Sequence, residues 1–193
     1  MAIAPRGPGR TPEARVEWAL KFRLLDLTKL SERARHRAWA MLVAWERGRP
    51  AEGPRPAQDK VLGAQQALRE VIEALANGLP DVVYMPETTW SIWPARRRRP
   101  GARRGGRVTV TTDHTRPGGL PVTPEAVVLA FVNDLNAVEA DRLKACPLKT
   151  GEETTCGAIF LAARRQIYCT ARHAQAAAWL RYQPKRKTKE ALS

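Results

Sequence analysis

All three cysteines of this 193-residue chain fall in its last quarter, at Cys146, Cys156 and Cys169, and His173 follows the last of them by four residues. In a helical segment, Cys169 and His173 share one face. An odd number of thiols cannot pair off completely as disulfides. Two readings of the cluster then stand side by side. In one, the cysteines are small buried hydrophobes and the histidine is solvated. In the other, three thiolates and one imidazole close a tetrahedral set around a soft ion, for which structural zinc is the fitting metal. The apolar content of the segment is small: Phe160, Ile167 and Tyr168 are too few to hold it together as a hydrophobic core. Four protein ligands leave no open coordination position, so such an ion would be structural, and its binding energy would be folding energy.

The local pattern supports the ligand set. Cys146-Pro147 and Cys156-Gly157 read as two halves of a metal-binding knuckle, because proline and glycine supply the turns that aim backbone amides at thiolates. An eight-residue polar insert, LKTGEETT (148–155), separates the halves. Ala158–Leu161, a turn at Ala162–Arg165 and Gln166–Tyr168 predict a short hairpin. Thr170 is then the cap of a helix whose first turn carries His173. Knuckle, hairpin and helix start give a treble-clef-like order, and the expected metal ligands are Cys146, Cys156, Cys169 and His173.

Charge supplies the second constraint. The chain has 33 Lys and Arg against 19 Asp and Glu, a net charge of +14. The excess is lumped. Arg164 and Arg165 lie on the expected hairpin turn, while Arg172, Arg181, Lys185, Arg186, Lys187 and Lys189 lie on the helix and a basic tail. A second acid-free cluster, PARRRRPGARRGGR (94–107), carries seven arginines and reads as a mobile loop. Arrays of this kind track phosphate backbones, so the expected partner is nucleic acid, duplex DNA in particular. Trp179 and Tyr182, three apart in the basic helix, could share one face; packing against the hairpin is expected ahead of the alternative, base stacking.

Upstream, the periodicity is helical. Thr11-Pro12-Glu13 and Thr123-Pro124-Glu125 each combine a hydroxyl cap, a proline at the first helical position and an acid at the positive end of the dipole. The first predicts a helix carrying Val16, Leu20, Leu24 and Leu27; the second predicts one rich in Val127, Val128, Phe131, Val132 and Leu135 that leads toward Cys146. Ser31-Glu32 starts a further helix with Trp39, Leu42 and Val43 buried. Residues 57–76 form another, after a linker at 49–56. Segments 81–85, 88–93 and 107–112 have strand propensity. The fold class is therefore mainly α with a small β insert. The expected organisation is a disordered N-terminus (1–10), a helical domain (11–140), a finger (141–183) and a basic tail (184–193).

The C-terminal pieces resemble the zinc finger of the CGNR zinc-finger family of bacterial transcription regulators. The matching pieces are Leu143–Pro147, Cys156-Gly157, Ile159-Phe160, Arg164-Arg165, Tyr168-Cys169-Thr170 and the helix toward Arg181-Tyr182. The tetrapeptide that names the family is His173-Ala174-Gln175-Ala176 here, so His173 would replace a ligand cysteine, and the first cysteine pair is stretched by the insert. The resemblance implies an N-terminal ABATE-type domain of helices with a few strands, and a role in transcription regulation.

Other candidates are weaker. Asp113-His114 has no nucleophile at a recognisable spacing, His36 sits at the edge of an amphipathic helix, and Trp90 and Trp93 read as the edge of a core. No acidic metal cluster or open metal site is visible, so an enzyme is not expected. The N-terminus lacks the apolar stretch of a signal peptide and the longest apolar run, near Ala126–Val132, is far too short to span a bilayer. A cytoplasmic protein without membrane association is expected, with the N-terminal domain sensing a signal or forming a homodimer. The competing function is a protein-interaction adaptor in which zinc is scaffold and the basic tail aids solubility.

Overall fold

The computed structural model describes residues 7–48, 58–77, 81–85, 88–94, 108–111, 123–151 and 154–190, with side-chain surroundings for 7–48, 58–77, 123–151 and 154–182. Two compact units divide the chain, Met1–Asp141 and Arg142–Ser193. The architecture is mainly helical with small antiparallel sheets.

In the first unit both Thr-Pro-Glu signatures start helices. Thr11 accepts from the Ala14 amide at the head of α1 (Pro12–Phe22), and Thr123 accepts from the Ala126 amide at the head of α4 (Pro124–Ala137), each at 3.3 Å. Ser31 caps α2 (Glu32–Arg47) in the same manner, and Gly48 ends it at φ 68°, a left-handed value that glycine adopts without a Cβ clash. Helix α3 spans Gln58–Asn77. Strands β1 (Asp81–Met85), β2 (Thr88–Pro94) and β3 (Val108–Thr111) form an antiparallel sheet in that order, with Val83 opposite Trp90 and Ile92 opposite Val110. Val16, Phe22, Leu42, Trp45, Leu68, Ile72, Phe131 and Leu135 are completely buried and draw the core from all four helices. Arg15 joins α1 to α4 through Asp134 at 2.9 Å. No helix among the described residues is long and apolar enough to cross a membrane.

One helix is shorter than its periodicity predicts. Helix α1 ends at Phe22; Leu24 is 69% exposed and Leu27 opens a separate 3-10 turn, Leu27–Lys29. The cause is tertiary. Gln65 on α3, itself buried, donates to the carbonyls of Phe22 and Leu25 at 2.9 and 2.8 Å, and Arg69 donates to that of Arg23 at 3.0 Å. These bonds satisfy carbonyls that a longer helix would have used internally. Phe22 O also accepts from the Leu25 amide, so the Leu25 carbonyl depends more on Gln65. Gln65→Leu, apparently conservative in a buried helix, is expected to destabilise this unit by about 1–3 kcal/mol through that orphaned carbonyl. Urea denaturation followed by circular dichroism measures it; an unchanged midpoint would show the bond to be dispensable.

In the second unit the sheet differs from expectation. Leu143–Ala145 is a strand, β4, rather than the end of a helix running into Cys146, and it pairs antiparallel with β5 (Ile159–Leu161). Residues 166–168, expected as the second strand of a hairpin, are not a strand; the partner of β5 precedes it in sequence. The insert accounts for this. The register that sets Leu143 opposite Leu161 continues without a shift through a bridge between Lys149 and Thr155. Along the way Cys146 N–H donates to Ala158 O at 2.9 Å, Cys156 N–H to Leu148 O at 2.7 Å and Thr150 N–H to Thr154 O at 2.9 Å. Residues 148–151 and 154–155 therefore extend the same ribbon rather than interrupt a knuckle. Helix α5, Ala171–Glu190, follows. It includes residues 184–190, so the expected tail begins as helix and runs through Pro184.

Candidate metal centre

The ribbon explains how two cysteines ten positions apart meet. Strand alternation puts Cys146, Leu148, Cys156 and Phe160 on one face. In the common register Pro147 lies opposite Gly157. Proline offers no amide there, and Gly157 takes φ 61°, a left-handed value that glycine adopts without a Cβ clash. Its amide donates to Cys146 O at 3.2 Å, which draws the two cysteine segments together.

The other two donors come from the loop and the start of α5. Thr170 Oγ1 accepts from the His173 amide at 3.2 Å, the cap expected from sequence. This starts the helix one residue after the cap and sets Cys169 and His173 on one side. The loop before it is held by Gln166, whose side chain accepts from the Ala163 amide at 3.0 Å and donates to Tyr168 O at 2.9 Å and Cys169 O at 3.5 Å. Lys144 Nζ donates to the Gln166 carbonyl at 3.5 Å and ties this loop to β4. Gln166 thus positions Cys169, a role its sequence surroundings do not signal.

The donor atoms of Cys146, Cys156, Cys169 and His173 all lie within 4.8 Å of one another. Cys169 Sγ is 3.1 Å and Cys146 Sγ 3.7 Å from His173 Nδ1, and the Cys156 and Cys169 sulfurs are 3.9 Å apart. A tetrahedral ion with metal–sulfur bonds of about 2.3 Å and metal–nitrogen bonds of about 2.0 Å requires donor edges of roughly 3.8 Å between sulfurs and roughly 3.5 Å between sulfur and nitrogen. The three spacings lie close to that set, and no edge exceeds 4.8 Å. The four residues together can hold one metal ion. Cys146, Leu148 and Ala177 are buried around the centre, and Phe160, Tyr168 and Ala176 pack against them.

Electrostatics point the same way. Burial pushes the Cys146 thiol up, but the amides of Cys169 and Leu148 and hydrogen bonds to His173 and Cys169 outweigh it and bring it down to about 6. Burial raises the Cys169 thiol, and the Cys146 and Cys156 sulfurs beside it raise it further, to about 11. One thiolate forms readily here, and a second is opposed by the charge of the first. A cation among the sulfurs removes that opposition. The Leu148 amide directed at Cys146 is the knuckle geometry expected of Cys146-Pro147.

The basic candidates divide. Arg164, Arg165 and Arg172 are exposed. Arg181 is exposed but engaged: Nε donates to Ala177 O at 3.3 Å and Nη2 to the Tyr168 hydroxyl at 3.2 Å, so it braces α5 against the loop. Lys185, Arg186, Lys187 and Lys189 lie on α5, with side chains outside the described residues. The arginine-rich loop at 95–107 and Asp113-His114 also lie outside them, as do the side chains of Trp90 and Trp93. His36 is exposed on α2. Trp179 and Tyr182 do not pack against the sheet as expected: they are 63% and 75% exposed. The inner face of α5 is occupied by His173, Ala176 and Ala177, whose small side chains let the helix approach the sulfurs, and a 3.6-residue turn carries positions 179 and 182 to the opposite side.

Comparisons with models of known protein families, with curated proteins and with solved structures find no match to this chain.

Proposed function

We propose that Arg142–Ser193 is a structural zinc module that presents α5 to DNA, and that the chain is a zinc-dependent, DNA-binding transcription regulator. The observation that carries this reading is the position of α5: its first turn supplies a metal ligand, and no acidic residue occurs between Thr154 and Lys189. The thiolate-rich donor set favours zinc over hard cations. With four protein donors the ion is a fold element rather than a source of hydroxide. Its function is to fix the ribbon, the Gln166 loop and the helix together, so that Arg164, Arg165 and Arg172 stand exposed on one small module. The resemblance to CGNR zinc fingers is consistent with the same role.

Salt dependence tests it. If the module neutralises three to five phosphates, a fourfold rise in salt should weaken binding to duplex DNA by about 40- to 500-fold through counterion release. Fluorescence anisotropy of a labelled duplex, titrated with zinc-loaded protein at several salt concentrations, measures the slope. No binding at low salt, or binding indifferent to salt, would end the DNA reading and leave a zinc-scaffolded protein adaptor as its successor.

A further inference from the structure

Large aromatic rings rarely stand this far out on a helix that has a packed inner face. Trp179 and Tyr182 are three residues apart and therefore neighbours on one side of α5. Gln175 and Arg172 are exposed on the same side one and two turns before Trp179, and helical spacing puts positions 186 and 189 beyond the rings on that side. The two rings thus sit side by side on a face that carries Arg172 toward the start of the helix and basic positions toward its end. It lies opposite Ala177, away from the metal centre, so the rings are not needed to hold the module together.

We propose that this face of α5 is a stacking platform for unpaired bases, so that the module grips single-stranded nucleic acid or a locally opened duplex. The inference rests on the nucleic-acid reading above and narrows it. An apolar protein partner would be met by a wide apolar patch; here two adjacent rings lie between Arg172 and the basic positions 186 and 189, in a stretch that lacks any acid from Thr154 to Lys189. The complementary ligand is an anion that also offers flat apolar surfaces at short intervals, which describes a strand of nucleotides. In a closed duplex the base faces are already stacked on one another and unavailable to Trp179 and Tyr182; in a single strand they are free. Exposed arginines hold phosphates while the rings take bases, and stacking is indifferent to which base is taken. DNA and RNA single strands share this chemistry.

The test uses the full-length zinc-loaded protein with labelled oligo-dT, oligo-U and a blunt duplex of about 15 nucleotides. Single strands should bind more tightly than the duplex at equal salt. Trp179→Ala and Tyr182→Ala should each weaken single-strand binding by about tenfold or more, and Trp179→Phe should retain most of it. The salt slope and the duplex affinity should stay the same, since a stacked ring releases no counterions. Zinc content equal to that of the unsubstituted protein confirms that the variants are folded. The two oligonucleotide arms decide between DNA and RNA, and preference for either supports the platform. Single-strand affinity unchanged in Trp179→Ala overturns the platform, and if salt-dependent binding persists the nucleic-acid reading stands without it. Absence of binding to all three probes at low salt overturns both. A Trp179→Ala effect on self-association alone also overturns the platform and makes the face a protein interface.

Discussion

Removing the proposed zinc should unfold Arg142–Ser193 and leave Met1–Asp141 folded. The expectation follows from what each unit buries. The first has a core drawn from four helices, with Val16, Phe22, Leu42, Trp45, Leu68, Ile72, Phe131 and Leu135 fully enclosed. Among the described residues of the second unit only Leu143, Cys146, Leu148, Ala162 and Ala177 are buried, one of them a candidate ligand and two of them alanines. A unit of that size with so little enclosed apolar surface depends on a staple. Structural zinc contributes on the order of 10–16 kcal/mol of apparent binding free energy near neutral pH, which is then folding free energy. Metal analysis should give one zinc per chain. A chelator should release it and abolish amide protection in β4, β5 and the first turns of α5, while α1 to α4 keep theirs. Cys169→Ser removes the donor nearest His173, and it should reproduce the chelated state at ordinary zinc concentrations. Amide protection that persists through residues 143–177 in metal-free protein would overturn the role given to the ion, and with it the argument that zinc presents α5.

The Cys146, Cys156, Cys169 and His173 cluster was legible from sequence because side-chain chemistry restricts it: few residue types bind soft ions, and all the cysteines lie together. The route by which the chain brings them together was not. Cys146-Pro147 and Cys156-Gly157 read as turn elements and the polar insert between them as an interruption, whereas both pairs lie on one antiparallel ribbon. Polar alternation in LKTGEETT carries no apolar signal for pairing, so backbone hydrogen bonds such as Cys156 N–H to Leu148 O fix the ribbon without advertising it. The same absence of signal hid Gln166. Trp179 and Tyr182 were misassigned for the opposite reason: aromatic size implies burial on average, yet a helix that must approach three sulfurs needs alanines on its inner face. In the first unit, capping chemistry gave the helix starts well, since Thr, Pro and Glu act through local geometry. The end of α1 depends on Gln65, which lies forty residues further on, and no local pattern encodes it.

Trp45→Ala should be among the most damaging single substitutions in the first unit, at about 3–5 kcal/mol. Helical spacing pointed to Trp39, Leu42 and Val43 as the buried stripe of α2, yet Trp45 is completely enclosed. Its ring stacks on Trp18 with centroids 5.7 Å apart, Trp18 in turn stacks on Phe22 at 4.9 Å, and the Arg15 guanidinium lies 5.6 Å from the Trp45 ring. Its indole N–H donates to Arg15 O at 3.1 Å. Truncation to alanine leaves a large cavity, removes the centre of this stack and withdraws one surface that orients Arg15 toward Asp134. Against a domain stability of about 5–15 kcal/mol that loss approaches the whole margin, and the urea midpoint of the α1–α4 transition should fall accordingly. A pair of phenylalanine variants separates shape from hydrogen bonding. Trp45→Phe keeps a stacked ring but loses the bond to Arg15 O, whereas the Trp18 indole N–H is buried with no acceptor. Removing an unsatisfied donor relieves a desolvation penalty. Trp18→Phe should therefore cost less than Trp45→Phe by about 1 kcal/mol or more, although both remove the same atoms. Equal losses in the two variants would mean that the Trp45 bond is energetically silent and that cavity size alone governs this core.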